Sequence, residues 1–342
     1  MRLSVVIPVH DDAAGLARML ESLAGALEGC AADLCEVIVV DDGSPEPLAR
    51  APGAGDLPAS LPLVWQRSDA CGGAGRARNL GLAAAAGSHV LFLDADDTVT
   101  PALGALLTDL VHQTFDFALF AHDDSRRTMH GLQGPDEAID RALWAAIGAT
   151  EVPTRLDADR TDTICRISNY PWNRVWRHAF LREHAIRHGE TPLHNDIEPH
   201  WAGFIEAERI LCSSRRCVVH TVRPGAGQLT NRTGAERLCV FEALEAVVAR
   251  LLRAAERAPE RASLVGPFLD FALRLLDWVE SVLPDEDARR VLRHRAAGLL
   301  EALAREAPPE LAQRVERALA EEPGLADGFL AWSEGPGAAL VR

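Results

Sequence analysis

Three carboxylates, Asp94, Asp96 and Asp97, follow directly on an apolar run in "LFLDADDTV" (91–99). Two like charges about 4 Å apart repel by roughly 4 kcal/mol at an effective dielectric near 20. A fold tolerates that crowding when a cation sits among the acids. Carboxylates at i and i+2 beyond a strand can converge on a hard divalent ion, and Mg2+ or Mn2+ suits an oxygen set that keeps open positions for phosphate. The alternative is an Asp-rich turn capping the next helix, since Thr98 and Pro101 also suit a helix start. A second acidic turn, "VVDDGS" (39–44), sets Asp41 and Asp42 before Gly43. A carboxylate there can accept a hydrogen bond from a base N–H or a ribose hydroxyl, although such turns are common between strand and helix. In "CGGAGRARN" (71–79), Gly72, Gly73 and Gly75 let backbone approach a ligand, and the helix that follows favours an anion at its N-terminus. Arg76 and Arg78 add donors for a diphosphate, or form a solvated helix face.

These turns need elements to hold them. "LSVVIPV" (3–9), "LVWQR" (63–67) and "HVLFLDADD" (89–97) read as strands, and "CEVIVVDDGS" (35–44) as a strand then an acidic turn. Helical spacing over 12–28, with Asp12 as N-cap, and over 75–87 separates them. Strands alternating with helices and apolar on both faces predict a mostly parallel sheet covered on both sides. Ligands in such sheets bind beyond the carboxyl ends of the strands. Asp11, Asp41, Asp42, Asp94, Asp96 and Asp97 all fall at those ends.

Composition narrows the function. The chain has 342 residues, 48% hydrophobic and 25% charged, enough for two domains with a sizeable core. A net charge of −15 argues against nucleic acid as partner and against a polybasic membrane anchor. All 35 basic residues are Arg, which removes lysine Schiff bases and the P-loop lysine. Any phosphate must be met by Arg, backbone amides or metal. No apolar run reaches 18 residues, and the N-terminus meets acids too early for a signal peptide, so a cytoplasmic location is expected. The seven cysteines form no C-x-x-C pair and read as free, mostly buried thiols.

Farther along, "FDFALFAHDD" (115–124) reads as a strand, and 126–168 is polar and hard to place. "NYPWNRVWRHAFLREH" (169–184) leads into a helix. "PLHNDIEPHWAGFIEAERIL" (192–211) reads as an acidic loop, a helix and a strand. Beyond about residue 232, apolar stripes at helical spacing cover 235–258, 262–283, 285–305 and 309–321. The expected domains are 1–232 and 233–342.

Four motifs in order, "VVIPVHD" (5–11), "DDGS" (41–44), "GGAGRARNLG" (72–81) and "DADD" (94–97), with "WNRVWRHAFL" (172–181) and "HNDIEPHW" (194–201) downstream, resemble the family 2 glycosyltransferases over roughly residues 1–232. The resemblance implies the GT-A fold, a mostly parallel α/β sheet flanked by helices, here with a C-terminal all-α region. It implies an inverting, metal-dependent transfer of a sugar from a nucleoside diphosphate to an acceptor hydroxyl, as in polysaccharide or glycoconjugate synthesis. Pro8, Asp11, Asp42, Gly73, Arg78, Asp94, Ala95 and Asp96 would then contact the nucleotide sugar. Asp96, with Asp94 or Asp97, would hold the sugar or diphosphate through Mn2+ or Mg2+, and Asp196 would be the general base. His10 and Asp11 replace a Tyr-Asn pair of the family's pattern, and Asn195 replaces a Glu. Apart from the resemblance, His220 at the end of "CVVH" could be a further metal ligand or a phosphate contact, or a core or surface histidine.

The partners this implies are a nucleotide-sugar donor and a glycan or lipid-linked acceptor. The helical region could form a homo-oligomer or make peripheral contact at the inner face of a membrane. Arg223 and Arg232 flank a Gly-rich loop that could close over a diphosphate or remain solvated. His184 and His188, at i and i+4, read as surface residues. Trp172, Trp176 and Trp201 suit sugar stacking or a core. Two other functions stay open, a nucleotidyltransferase and a catalytically silent sugar-nucleotide-binding protein.

Overall fold

The computed structural model describes residues 1–28, 35–50, 61–222 and 233–333. The chain divides into two compact units, Met1–Glu190 with Ala207–Gly225, and Thr191–Glu206 with Ala226–Arg342. The segment Thr191–Glu206 groups with the helical region, because the helix it carries packs there.

In the first unit, the strands β1 (Leu3–Val9), β2 (Cys35–Asp41), β3 (Leu63–Arg67) and β4 (His89–Phe92) are parallel, in the spatial order β3-β2-β1-β4. Every residue of β1 is buried, as expected of a strand covered on both faces. α1 (Ala13–Ala26) and α2 (Ala74–Ala84) are the connecting helices. Asp12 caps α1, its carboxylate accepting the Gly15 amide at 2.8 Å. The apolar stripe Leu16, Met19, Leu20 and Leu23 then turns into the core.

The sheet continues through β8 (Arg174–Arg177), β6 (Phe117–Asp124), β9 (Ile210–His220) and the short β5 (Thr98–Val99), with β7 (Thr154–Arg155) also paired to β9. Here pairing is mixed. β8 runs antiparallel to β4 and β6, β6 runs parallel to β9, and β5 and β7 run antiparallel to β9. The parallel expectation holds for the first four strands and gives way after them. α3 (Ala102–Leu110) follows β5, and the polar stretch that resisted placement contains α4 (Ser125–Thr128), α5 (Ala138–Ala146), β7 and α6 (Ala158–Ile164). These pieces are short, so few repeats of any period were available to read. α7 (His178–Glu183) completes the unit.

The second unit consists of α8 (Ile197–Glu206), α9 (Val240–Arg257), α10 (Val265–Val282), α11 (Glu286–Glu306), α12 (Pro309–Glu321) and α13 (Pro323–Ser333). Trp201 of α8 is fully buried, with Phe268 edge-on at 5.3 Å and Phe271 at 5.4 Å. Arg250 of α9 reaches Glu198 at 3.3 Å and Glu206 at 3.6 Å, fixing both ends of α8. No described helix is long and apolar enough to cross a membrane.

Candidate functional site

Parallel register brings three strand ends level, Val9 opposite Asp41 and Asp41 opposite Arg67. Asp41 is buried and accepts the Ser44 amide at 2.9 Å, the Leu48 amide at 3.1 Å and the Arg67 guanidinium. Burial alone would raise its pKa, but these donors outweigh it and hold the carboxylate below its ordinary range. Asp41 is thus a structural clamp on the turn.

Asp42, also buried, reaches the glycine loop. Its Oδ1 takes the Gly72 amide at 2.9 Å, and its Oδ2 takes the Gly73 amide at 2.8 Å and the Cys71 thiol at 3.4 Å. Gly43 makes this possible: its φ is +67°, and a Cβ would lie 2.5 Å from the Ala70 carbonyl carbon and the Cys71 nitrogen. Asp11 is exposed at φ +50°, with its amide on Ser44 Oγ at 2.9 Å. His10 Nδ1 lies 2.8 Å from the Asp42 carbonyl. Pro8 is buried in β1 opposite Val40, so it shapes the strand end from beneath.

Gly73, at φ +87°, precedes the first residue of α2. One turn later Arg78, 5% exposed, donates to Asp94 Oδ1 at 2.6 Å. Asn79 both donates to the His188 carbonyl at 2.9 Å and accepts the His188 amide at 3.0 Å. His188 is therefore no surface residue. It lies beyond α7, buried, its ring edge-on to Phe92 at 4.6 Å.

The acid-rich turn 94–97 lies beside the ends of β6 and β9, where Thr98 pairs with Val219 and Asp124 with His220. Asp97 is 1% exposed; its Oδ1 accepts the Thr221 amide at 2.7 Å, and its buried Oδ2 has no hydrogen-bond partner. Burial first, then the charges of Asp94, Asp96 and Asp124, push its pKa well up. Asp124 is equally buried. Burial would raise its pKa as well, but Arg126 and His220 hold it down to about 2. His220 Nδ1 lies 3.2 Å from Asp124 Oδ2, and its ring is tilted against Tyr170 at 5.2 Å.

Among the described residues, no three His, Cys, Asp or Glu side chains form a group that could hold a metal ion. Two of the four expected ligands have protein partners: Arg78 engages Asp94, and Asp124 engages His220. What remains still suits a hard cation. Asp97 offers a bare, buried oxygen within a field of carboxylates, and Asp96 stands half-buried on the same turn. Two carboxylates completed by phosphate oxygens and water is an ordinary Mg2+-type arrangement. Ala95 turns into the hydrophobic core instead, 6% exposed.

In the second unit, Asp196 is half-buried at the start of α8, its carbonyl accepting the His200 amide at 3.2 Å. Trp172, Trp176 and Trp201 are all buried core residues. Arg223 and Arg232 lie outside the described residues. Asp124 and Asn79 escaped the sequence reading as site residues. Asp124 had a visible signal, an acid ending the strand "FALFAHDD", whereas the partner of Asn79 is 109 positions away.

Residues 4–138 match the glycosyl transferase family 2. A 110-residue stretch, 32% of the chain, is 39% identical to a pre-mycofactocin glycosyltransferase of Mycobacterium tuberculosis (strain CDC 1551 / Oshkosh), of which it spans 20%. The uncharacterized glycosyltransferase EpsJ of Bacillus subtilis (strain 168) is 24% identical over 66% of the chain and 62% of that protein. The chain thus spans about a fifth and about three fifths of these relatives. Among solved structures, S. aureus TarS 1-349 in complex with UDP-GlcNAc superposes with a TM-score of 0.73 at 18% identity, over 98% of this chain and 91% of that one. At that identity the likeness establishes the GT-A fold.

Proposed function

We propose that this chain, whose residues 4–138 match the glycosyl transferase family 2, transfers a sugar from a nucleoside diphosphate donor to the hydroxyl of a glycan or lipid-linked acceptor. One observation carries the reading: the buried, bare Asp97 oxygen set among Asp94, Asp96 and Asp124. That arrangement is costly to the folded chain unless a cation joins it.

Asp96 and Asp97 would hold a divalent ion, which when bound neutralises diphosphate charge as the glycosidic bond breaks. Asp42 shapes the glycine loop through both oxygens, and a remaining lone pair on Oδ1 suits a base N–H. Asp11, exposed at the neighbouring strand end, is the second polar contact for the nucleoside. Arg78, paired with Asp94, is the guanidinium placed to meet a phosphate. Asp196 takes the acceptor proton as general base. One base and one leaving group, with no covalent intermediate, give inversion at the anomeric carbon.

The test is a thermal-shift screen of UDP-, GDP-, dTDP- and CMP-sugars with and without Mn2+, since binding to the folded state raises apparent stability. Donor turnover by the parent and by Asp196→Asn completes it. Nucleotide-sugar binding retained and turnover lost in the variant supports the reading. Pyrophosphate release from a nucleoside triphosphate would instead mark a nucleotidyltransferase.

A further inference from the structure

The loop leading into α8 is held by the helical unit itself. His194, two residues before Asp196, has φ +60°, a left-handed conformation that a non-glycine residue keeps only where its surroundings impose it. Those surroundings are specific. The Leu193 carbonyl accepts the Thr191 hydroxyl at 2.6 Å and the Cys239 thiol at 3.4 Å. Arg237 directs its NH1 donor at His194 Nε2 from 3.5 Å. Burial first, and the Arg237 charge second, lower the His194 pKa to about 4, so the ring is neutral at neutral pH and accepts from Arg237 as the Nδ1–H tautomer. Arg237 is 2% exposed and stacks over the Trp278 ring of α10 at 4.2 Å. The His194 ring meets the same indole edge-on at 6.4 Å.

A guanidinium withdrawn from water is expensive to keep, even with its charge resting on an aromatic face. The face alone would anchor α10 as well with an aliphatic side chain in place of Arg237. We infer that Arg237 and Trp278 are positioning residues for Asp196. They hold His194 in its left-handed turn, and that turn fixes the direction in which α8 starts and hence where the Asp196 carboxylate stands. Proton transfer is sensitive to such placement: a 1 Å error in a reacting group can cost about a hundredfold in rate. The helical region thereby supplies the scaffold of the base. The inference rests on the reading of Asp196 as general base.

The experiment compares the full chain with Trp278→Ala, Trp278→Phe, Arg237→Met and Asp196→Asn. Hydrogen exchange is followed over residues 191–200 and, as reference, over β1. Affinity for UDP or GDP with Mn2+, whichever binds in the screen above, is measured by calorimetry. Nucleoside diphosphate release from the corresponding sugar donor gives kcat. Trp278→Ala and Arg237→Met should speed exchange over 191–200, lower kcat about tenfold or more, and leave exchange in β1 and nucleotide affinity unchanged. Trp278→Phe, which keeps a ring face, should restore most of both. Unchanged exchange over 191–200 overturns the inference, and so does a loss of protection and nucleotide binding throughout the chain, which would mark a general folding role. If Asp196→Asn leaves kcat intact, the base assignment fails separately, and the exchange data still decide whether Arg237 and Trp278 hold the loop.

Discussion

Arg78 and Asp94, sixteen positions apart, meet at 2.6 Å, joining the helix after the glycine loop to the acid-rich turn. The pair connects the two segments proposed to meet the diphosphate. Arg78 is almost wholly buried, so its loss leaves Asp94 uncompensated beside Asp96 and Asp97. Breaking a buried pair in this way costs about 3–5 kcal/mol, and the partial exposure of Asp94 places the effect near the low end. Arg78→Met should therefore lower stability by about 3 kcal/mol in urea unfolding, and weaken nucleotide binding at least about tenfold. Wild-type affinity in a folded Arg78→Met protein would remove Arg78 from the proposed site.

Asp97 sets stability against binding. Asparagine retains an acceptor for the Thr221 amide, but it removes a charge that burial and three neighbouring carboxylates oppose. Asp97→Asn should raise the Tm of the unliganded protein by a few degrees, as relief of a strained functional site commonly does. The same change should abolish any Mn2+-dependent thermal shift with a nucleotide sugar. A variant both less stable and still responsive to Mn2+ would mean that the bare oxygen is not where the ion acts.

Gly43→Ala probes the turn that lets Asp42 reach the glycine loop. The added methyl would sit 2.5 Å from backbone atoms of Ala70 and Cys71, and φ +67° is unfavourable for alanine. Backbone cannot yield as a side-chain tip can, so a loss of about 1–3 kcal/mol is expected. Weaker nucleotide binding should accompany it as the Gly72 and Gly73 amides move off Asp42. Calorimetry on the variant at a temperature where it is folded separates the two effects.

The parallel half of the sheet was readable because each strand carries a run of apolar residues and is followed by a turn containing Asp, Gly or Ser; β1 and β3 fall on the expected residues. Motif order located the acid-rich turn, the glycine loop and the start of α8. Pairings across long separations were not readable. Nothing local in "DADD" says that Arg78 will take Asp94 or that the Thr221 amide will take Asp97, and nothing in "CVVH" says that His220 will turn to Asp124. Ligand sets proposed from spacing alone cannot anticipate which acids the fold has already committed to arginine or histidine. The grouping of Thr191–Glu206 with the helical region rests likewise on Glu198 and Glu206 meeting Arg250, about fifty positions away.

Asp140 gives a pH dependence of definite sign. It sits on α5, 1% exposed, with its carboxylate accepting the Ser168 amide at 3.0 Å. Burial, which outweighs the Ser168 hydrogen bonds, together with the Glu137 charge raises its pKa from an ordinary value near 4 to about 6. The folded chain thus binds this proton more tightly than the unfolded chain. The stability it contributes is complete below about pH 4, falls as pH rises through about 6, and is absent above that. The gap corresponds to roughly 3 kcal/mol at 1.36 kcal/mol per pKa unit. Asp140→Asn keeps an acceptor for Ser168 and cannot ionise, so it should be more stable than the parent at pH 8 by up to about 3 kcal/mol, with the difference vanishing near pH 4. Urea unfolding of both proteins at pH 4, 6 and 8 measures it, and a variant less stable than the parent at pH 8 would show that the ionised carboxylate is needed in the fold.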